Sequence, residues 1–189
     1  MQRNPKAPAA TRPTYAVTAG FQFPGDRHFE EFGAGGRPVS DVIELELTFN
    51  DAVCETEDRP LGTASTSLIR ACTLNDIVAE KLRALLQQIP RNRTRPQDVF
   101  DIARVVREGL TIDPVRVAEY LRRKCADREI VPTRAAFRDP EIARRAQTGY
   151  EAVLRLSQRE VTPFAEAWAT VLSLVDRLDL PDAGHHLTR

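Results

Sequence analysis

Lysine is nearly missing from this chain. Of its 27 basic side chains, only Lys6, Lys81 and Lys124 are lysines, and the other 24 are arginines. Cysteine and histidine are as scarce. Cys54, Cys72 and Cys125 show no CxxC spacing and no neighbouring histidine, which argues against a zinc site and against a disulfide framework, and fits a reducing compartment. His28, His185 and His186 are the only histidines, and two of them lie in the polar tail DAGHHLTR, so histidine-based acid/base chemistry has little to work with. Excess charge is absent too, with 27 basic against 27 acidic residues, so no overall field favours a polyanion and local arginine clusters must carry any such argument. No apolar run approaches the length of a membrane span, and the stretch MQRNPKAPAATRP lacks the apolar centre of a signal peptide. The expectation is a cytoplasmic protein without membrane contact.

What is present reads as an ordinary globular chain. With 189 residues, 42% apolar and 29% charged, it is long enough for one cored domain, or for a small domain with a helical extension. Residues 1–13 are rich in proline, alanine and basic residues and read as a flexible lead-in. The stretch from Tyr15 to Phe23 alternates apolar and polar positions, as does Val42 to Phe49, where Ile43, Leu45 and Leu47 share one face and Glu44 and Glu46 the other. Both are predicted strands, joined by the glycine- and proline-rich residues 24–41. A short strand ending near Ile69 is a further candidate.

The period then changes to that of a helix. Thr73 with Asp76 three residues on forms a capping-box pattern that starts a helix from Leu74 to about Gln88, ended by Pro90. Pro96 opens the next helix and Gly109 stops it. Three more helices are predicted: Pro114 to about Ala126, Asp139 to about Ser157, and Pro163 to about Leu178. The last carries the broad apolar stripe of Phe164, Ala167, Trp168, Val171, Leu172 and Val175. Strands first and helices afterwards make an α+β chain. It divides into a lead-in (1–13), a strand-rich part (14–72), a helical part (73–180) and a disordered tail (181–189).

Within the first helix, Leu74, Ile77, Val78, Leu85 and Leu86 are read as one stripe, and Lys81 falls on it where an apolar residue is expected. Two roles suit that position. The stem can pack while the ammonium reaches water, or a compact ammonium can meet a phosphate oxygen, a task for which a chain so rich in arginine has chosen lysine.

VAEKLRALLQQ followed by RPQDVFDI resembles the AbiEii/AbiGii-type nucleotidyltransferase toxin family of type IV toxin–antitoxin systems, whose members carry a Glu-Lys-x-x-Ala helix and then an Arg-Asp-x-Tyr-Asp-Leu-like helix start. Gln97 and Phe100 replace the arginine and tyrosine of the second motif. Upstream, IELELTFNDAV resembles the family's Ile-Asp-Ile-Gly-Phe-Gly-Asp strand, with Glu46 on the acidic position and Asp51 on the loop aspartate. Downstream, FRDPEIARRAQTGYEAVLRL and residues 164–178 look like its helical part. The resemblance runs from about Tyr15 to the last helix.

The resemblance implies a strand layer of nucleotidyltransferase type followed by a helical bundle. It also implies transfer of a nucleotide from an NTP to RNA, with tRNA 3′ ends as the family-level acceptor, Mg²⁺ as cofactor and a cognate antitoxin as partner. Lys81 then contacts nucleotide phosphates. Asp98 orients Lys81 or serves as base for an incoming hydroxyl, or only complements a helix N-terminus. Glu46 supports metal, or is a solvent-facing strand residue. Arg91, Arg93 and Arg95 bind triphosphate or an RNA backbone, or form a solvated loop. Asp101 is expected to pair with a neighbouring arginine, and Arg83 with Glu80 or Asp76. The family's Gly-Ser turn and Asp-x-Asp pair have no clear counterpart; Gly35-Gly36 with Glu44 and Glu46 mimics them loosely. Two expectations follow: a chain that begins inside a longer protein, or a non-catalytic remnant that binds a protein or RNA.

Overall fold

A computed structural model describes residues 2–3, 14–21, 41–48, 52–60, 62, 66–157 and 162–183. The expected connector 24–41 lies almost wholly outside them, as do Asp51, Gly35, Gly36 and the tail from residue 184. The chain forms two compact units, Met1–Asp51 and Ala52–Arg189.

The first unit holds a three-stranded antiparallel sheet of β1 (Gln2–Arg3), β2 (Thr14–Phe21) and β3 (Asp41–Thr48), in the order β1-β2-β3. The pairing of β2 with β3 sets Tyr15 opposite Leu47, Val17 opposite Leu45 and Ala19 opposite Ile43, so the apolar residues of each strand share a face. The alternation in sequence is the cause of that register, since a slip by one residue would turn every side chain over. Gln2 and Arg3, which composition assigns to a flexible lead-in, instead pair with Ala16 and Tyr15.

The second unit is mainly helical. It opens with the hairpin of β4 (Thr56–Pro60) and β5 (Leu68–Cys72). The sequence TEDRP has no alternation to reveal β4, and its residues are mostly exposed. Seven helices follow among the described residues: α1 (Leu74–Leu86), α2 (Pro96–Arg107), α3 (Pro114–Ala126), α4 (Arg134–Phe137), α5 (Pro140–Gln147), α6 (Tyr150–Leu156) and α7 (Phe164–Arg177). The α+β reading therefore holds, and the hairpin 56–72, grouped by sequence with the strands upstream, clusters with the helices.

Local chemistry sets most helix starts. Asp113 accepts from the backbone N–H groups of Val115 and Arg116, and Asp139 from that of Glu141, each just before a proline that fixes the first helical dihedral. The helix expected over 139–157 is broken in two, because Gly149 adopts φ +86, a left-handed conformation that ends one helix and begins the next. Gly109, at φ +65, stops α2 as its position in the sequence suggests.

The core lies among α1, α2, α3 and α7. Val78, Leu82 and Leu85 of α1, Val99 and Ile102 of α2, Val117 and Leu121 of α3, and Val171 of α7 are all fully buried. Each such aliphatic side chain stabilises the fold by about 1.5–3 kcal/mol relative to exposure. The apolar stripe read on α1 needs correction. Because α1 packs against both α2 and α3, its buried arc runs through Val78, Ala79, Leu82, Leu85 and Leu86, while Ile77 is 39% exposed. Lys81 is therefore on the edge of the stripe.

Candidate functional site

Lys81 lies on α1 where that helix faces the start of α2. Its ammonium donates to Asp98 Oδ1 at 3.1 Å and to Asp101 Oδ2 at 2.7 Å, across 17 and 20 residues of chain. Asp98 and Asp101 stand three apart near the start of α2, a spacing that places both carboxylates on one side of the helix. Pro96 at the helix start, with no side-chain cap on Arg95, leaves that N-terminus to be complemented by Asp98. Asp98 thus stands where it can orient Lys81. The arginine partner expected for Asp101 is replaced: this carboxylate takes the lysine and the amide of Gln97 at 2.8 Å, because the turn of α2 carries it over α1.

Burial and charge act in opposite directions on the lysine. Its side chain is 23% exposed, and desolvation pulls its pKa down, yet the hydrogen bonds and charges of Asp101 and Asp98 together outweigh this and hold it above its ordinary value. Lys81 is thus a fixed cation at any physiological pH. Two of its three donors are used by the carboxylates, and the third has no partner among the described residues.

Asp98 Oδ2 is the unusual atom of the group. It is buried and accepts no hydrogen bond, and Arg95 Nε stands 3.9 Å from it. An unsatisfied buried carboxylate oxygen costs on the order of 1–3 kcal/mol and is retained where something else supplies the donor. The two cations and two carboxylates of Lys81, Arg95, Asp98 and Asp101 cancel in formal charge.

Of the other arginines expected at the site, Arg91 and Arg93 are exposed on the turn between α1 and α2. Arg95 alone joins the cluster. Glu46 belongs to β3 in the first unit, in register with Ala16. Among the described residues no group of three histidine, cysteine or acidic side chains is arranged to hold a metal ion. At Lys81 the two carboxylates already share an ammonium, so the described residues do not form a Mg²⁺ site, and no chemical step is assigned to that ion.

Sequence reasoning missed a second, deeper cluster. Lys124 of α3 is 3% exposed and donates to Asp76 Oδ2 at 3.2 Å and to the carbonyl of Ala52, with Glu80 at 3.7 Å. The capping box expected of Thr73 and Asp76 is only half formed. Thr73 does accept from the Asp76 backbone N–H at 3.3 Å, but the Asp76 carboxylate turns instead to Lys124 and to the backbone N–H of Cys54 at 2.8 Å. The Thr73 N–H donates to the Glu55 carbonyl in its place. Arg83 pairs with Glu80, as expected. Burial raises the thiols of Cys54 and Cys72, and the nearby Asp76 carboxylate adds to the rise in both. The clue to Lys124 was the scarcity of lysine itself, hidden by its place in the basic run Arg122-Arg123-Lys124.

The family of the nucleotidyl transferase AbiEii toxin, of type IV toxin–antitoxin systems, matches residues 3–173. The chain belongs to that family of nucleotidyltransferase toxins. No curated protein and no solved structure matches it. Among the described residues, no helix is long and apolar enough to cross a membrane.

Proposed function

We propose that this chain transfers a nucleotide from an NTP to an RNA acceptor, with tRNA 3′ ends as the family-level target and a cognate antitoxin as its control. The observation that carries the reading is the pair Lys81–Asp98, in which a charged ammonium keeps one donor in reserve while the carboxylate keeps one buried oxygen without a partner. Lys81 binds the nucleotide phosphates as a point charge. The acceptor hydroxyl oxygen bonds the α-phosphorus as the α–β phosphoanhydride bond breaks and pyrophosphate leaves, and Asp98 Oδ2 receives the hydroxyl proton as general base. Asp101 and Gln97 hold the lysine in place. The family implies Mg²⁺ as cofactor, and Glu46 of β3 is the residue expected from the sequence to help hold it.

Calorimetry with ATP or another NTP, with and without Mg²⁺, tests the assignment of Lys81. Binding should weaken about tenfold to a hundredfold in Lys81→Ala, the contribution of one charge-assisted hydrogen bond of ~1.5–3 kcal/mol. Equal affinity in the variant would remove Lys81 from the site. One feature favours a second reading, a non-catalytic module that binds RNA or a partner protein: no Asp-x-Asp pair occurs anywhere in the 189 residues. RNA binding with no transfer of labelled nucleotide would decide for that reading.

A further inference from the structure

The turn from Gln87 to Arg95 carries three arginines at alternate positions, and its backbone is held from below by a chain of polar contacts. Gln88 is completely buried at its base. Its side-chain amide donates to the carbonyls of Leu85 at 3.2 Å and Ile142 at 3.1 Å, which fastens the end of α1 to the start of α5. The carbonyl of Gln88 accepts from the Arg93 N–H at 2.9 Å. Asn92 then adopts φ +46, a left-handed conformation that asparagine tolerates better than most residues.

Arg145 of α5 closes the arrangement. Its guanidinium donates to Asn92 Oδ1 at 3.0 Å and reaches the Gln88 carbonyl at 3.5 Å, while its Nε is held by Glu141 at 2.6 Å. Hydrogen bonds from Arg144 and Arg145 bring the Glu141 carboxyl down to about pKa 2, so this anchor stays charged across the physiological range. Arg145 shares Glu141 with Arg144 and its side chain is only 18% exposed, which suits a support better than a ligand contact. Arg93, by contrast, is exposed on the outer side of the turn.

Resting on the reading of RNA as acceptor, we infer that Arg145 is a positioning residue: through Asn92 and Gln88 it holds the 91–95 turn in one conformation, so that its arginines meet the RNA backbone without first being ordered. A mobile basic loop would have to give up its freedom on binding, whereas a prearranged one has already done so on folding. Guanidinium forks carried on a fixed backbone suit successive phosphates of one strand. The several exposed positions along the turn favour a polymer over a single triphosphate, whose contact would be Lys81 with Arg95 beside it.

The test is anisotropy of a fluorescein-labelled RNA hairpin with a single-stranded 3′ end, titrated with the full chain at several salt concentrations, beside ATP calorimetry. Replacing Arg91, Arg93 and Arg95 together by glutamine should weaken RNA binding and flatten the salt slope by about 0.7 for each phosphate no longer neutralised. Arg145→Met and Asn92→Gly should each lower RNA affinity about threefold to tenfold, the range expected when loop ordering moves to the binding step. Arg145→Lys should restore most of it, and ATP affinity should not change in Arg145→Met, Asn92→Gly or Arg145→Lys, none of which touches the Lys81 cluster. Asn92→Gly keeps the left-handed turn and leaves the helices untouched, so its result stands even if Arg145→Met folds poorly. If the triple variant weakens binding while Asn92→Gly and Arg145→Met do not, the positioning role of Arg145 is overturned and the arginine loop stands. If the triple variant binds RNA like the parent, the loop does not touch RNA at all. A parallel fall in ATP affinity in Arg145→Met and Asn92→Gly would make the turn a triphosphate site and overturn the inference.

Discussion

Lys81 and Lys124 are both held by acidic groups, yet one site is open and the other closed. Lys124 is 3% exposed, and its partners Asp76, Glu80 and the Ala52 carbonyl come from α1 and from the segment leading into β4. Asp76 turns its second oxygen to the Cys54 N–H, so neither member of the pair has an acceptor or donor facing outward. Lys81 is 23% exposed, joins only α1 to α2, and its partner Asp98 retains an unpartnered oxygen. A closed buried pair serves geometry, because removing either half strands a charge in apolar surroundings. The Lys81 pair is part-exposed on the lysine side, so its charge is better solvated than that of Lys124 and contributes less to stability.

The largest effect should come from breaking the closed site. Lys124→Met is expected to cost about 3–5 kcal/mol in chemical denaturation, since it leaves Asp76 charged and buried. Adding Asp76→Leu should recover part of this, because both charges are then gone. A loss below about 1 kcal/mol would show that water reaches the pair, and the contrast with Lys81 would disappear.

A smaller effect in energy, but one specific to activity, is expected at the open site. Asp98→Asn should lower the rate of nucleotide transfer about a hundredfold, at the lower end for loss of a general base. The same change at Asp101 should reduce it much less, because both oxygens of Asp101 are already engaged by Lys81 and Gln97. The Asp101 variant, at a part-exposed carboxylate, should shift stability by no more than about 1 kcal/mol. Equal losses of rate at the two positions would deny the unpartnered oxygen any special part.

The mildest perturbation is alkaline pH. Cys125, next to Lys124, is buried, and its thiol is pushed up to about 12 from the ordinary 9.0. A group whose pKa is raised by folding contributes in full below its unfolded value and loses that contribution as pH climbs toward the folded one. Stability should therefore fall from about pH 9 upward, by no more than ~1.4 kcal/mol per pH unit for one proton. The Lys81 contribution should begin to fade only above 10.5, since its pKa is raised from there. Urea midpoints measured from about pH 8 to about pH 11 check this, and Cys125→Ala should flatten the first part of the decline.

Much of the architecture was legible because it depends on local chemistry. The prolines after Asp113 and Asp139 start helices where spacing places them, and the alternation in β2 and β3 matches their pairing. Strand β4 gives no such signal because TEDRP has little apolar content to alternate, and α4 gives none because four residues make too short a period. The break at Gly149 depends on one backbone dihedral in a segment that otherwise reads as continuous helix.

The sequence by itself determined that Lys81 is an exceptional residue, that Asp98 stands at a helix start, and that strands precede helices. Those follow from residue choice and from spacing within a few turns of chain. Only the tertiary structure decided that Asp101 shares the lysine, that Lys124 is buried with Asp76, and that Arg145 supports the arginine turn. These contacts span 20, 48 and 53 residues, and a carboxylate that is free by local rules goes to whichever donor the packing of helices brings to it.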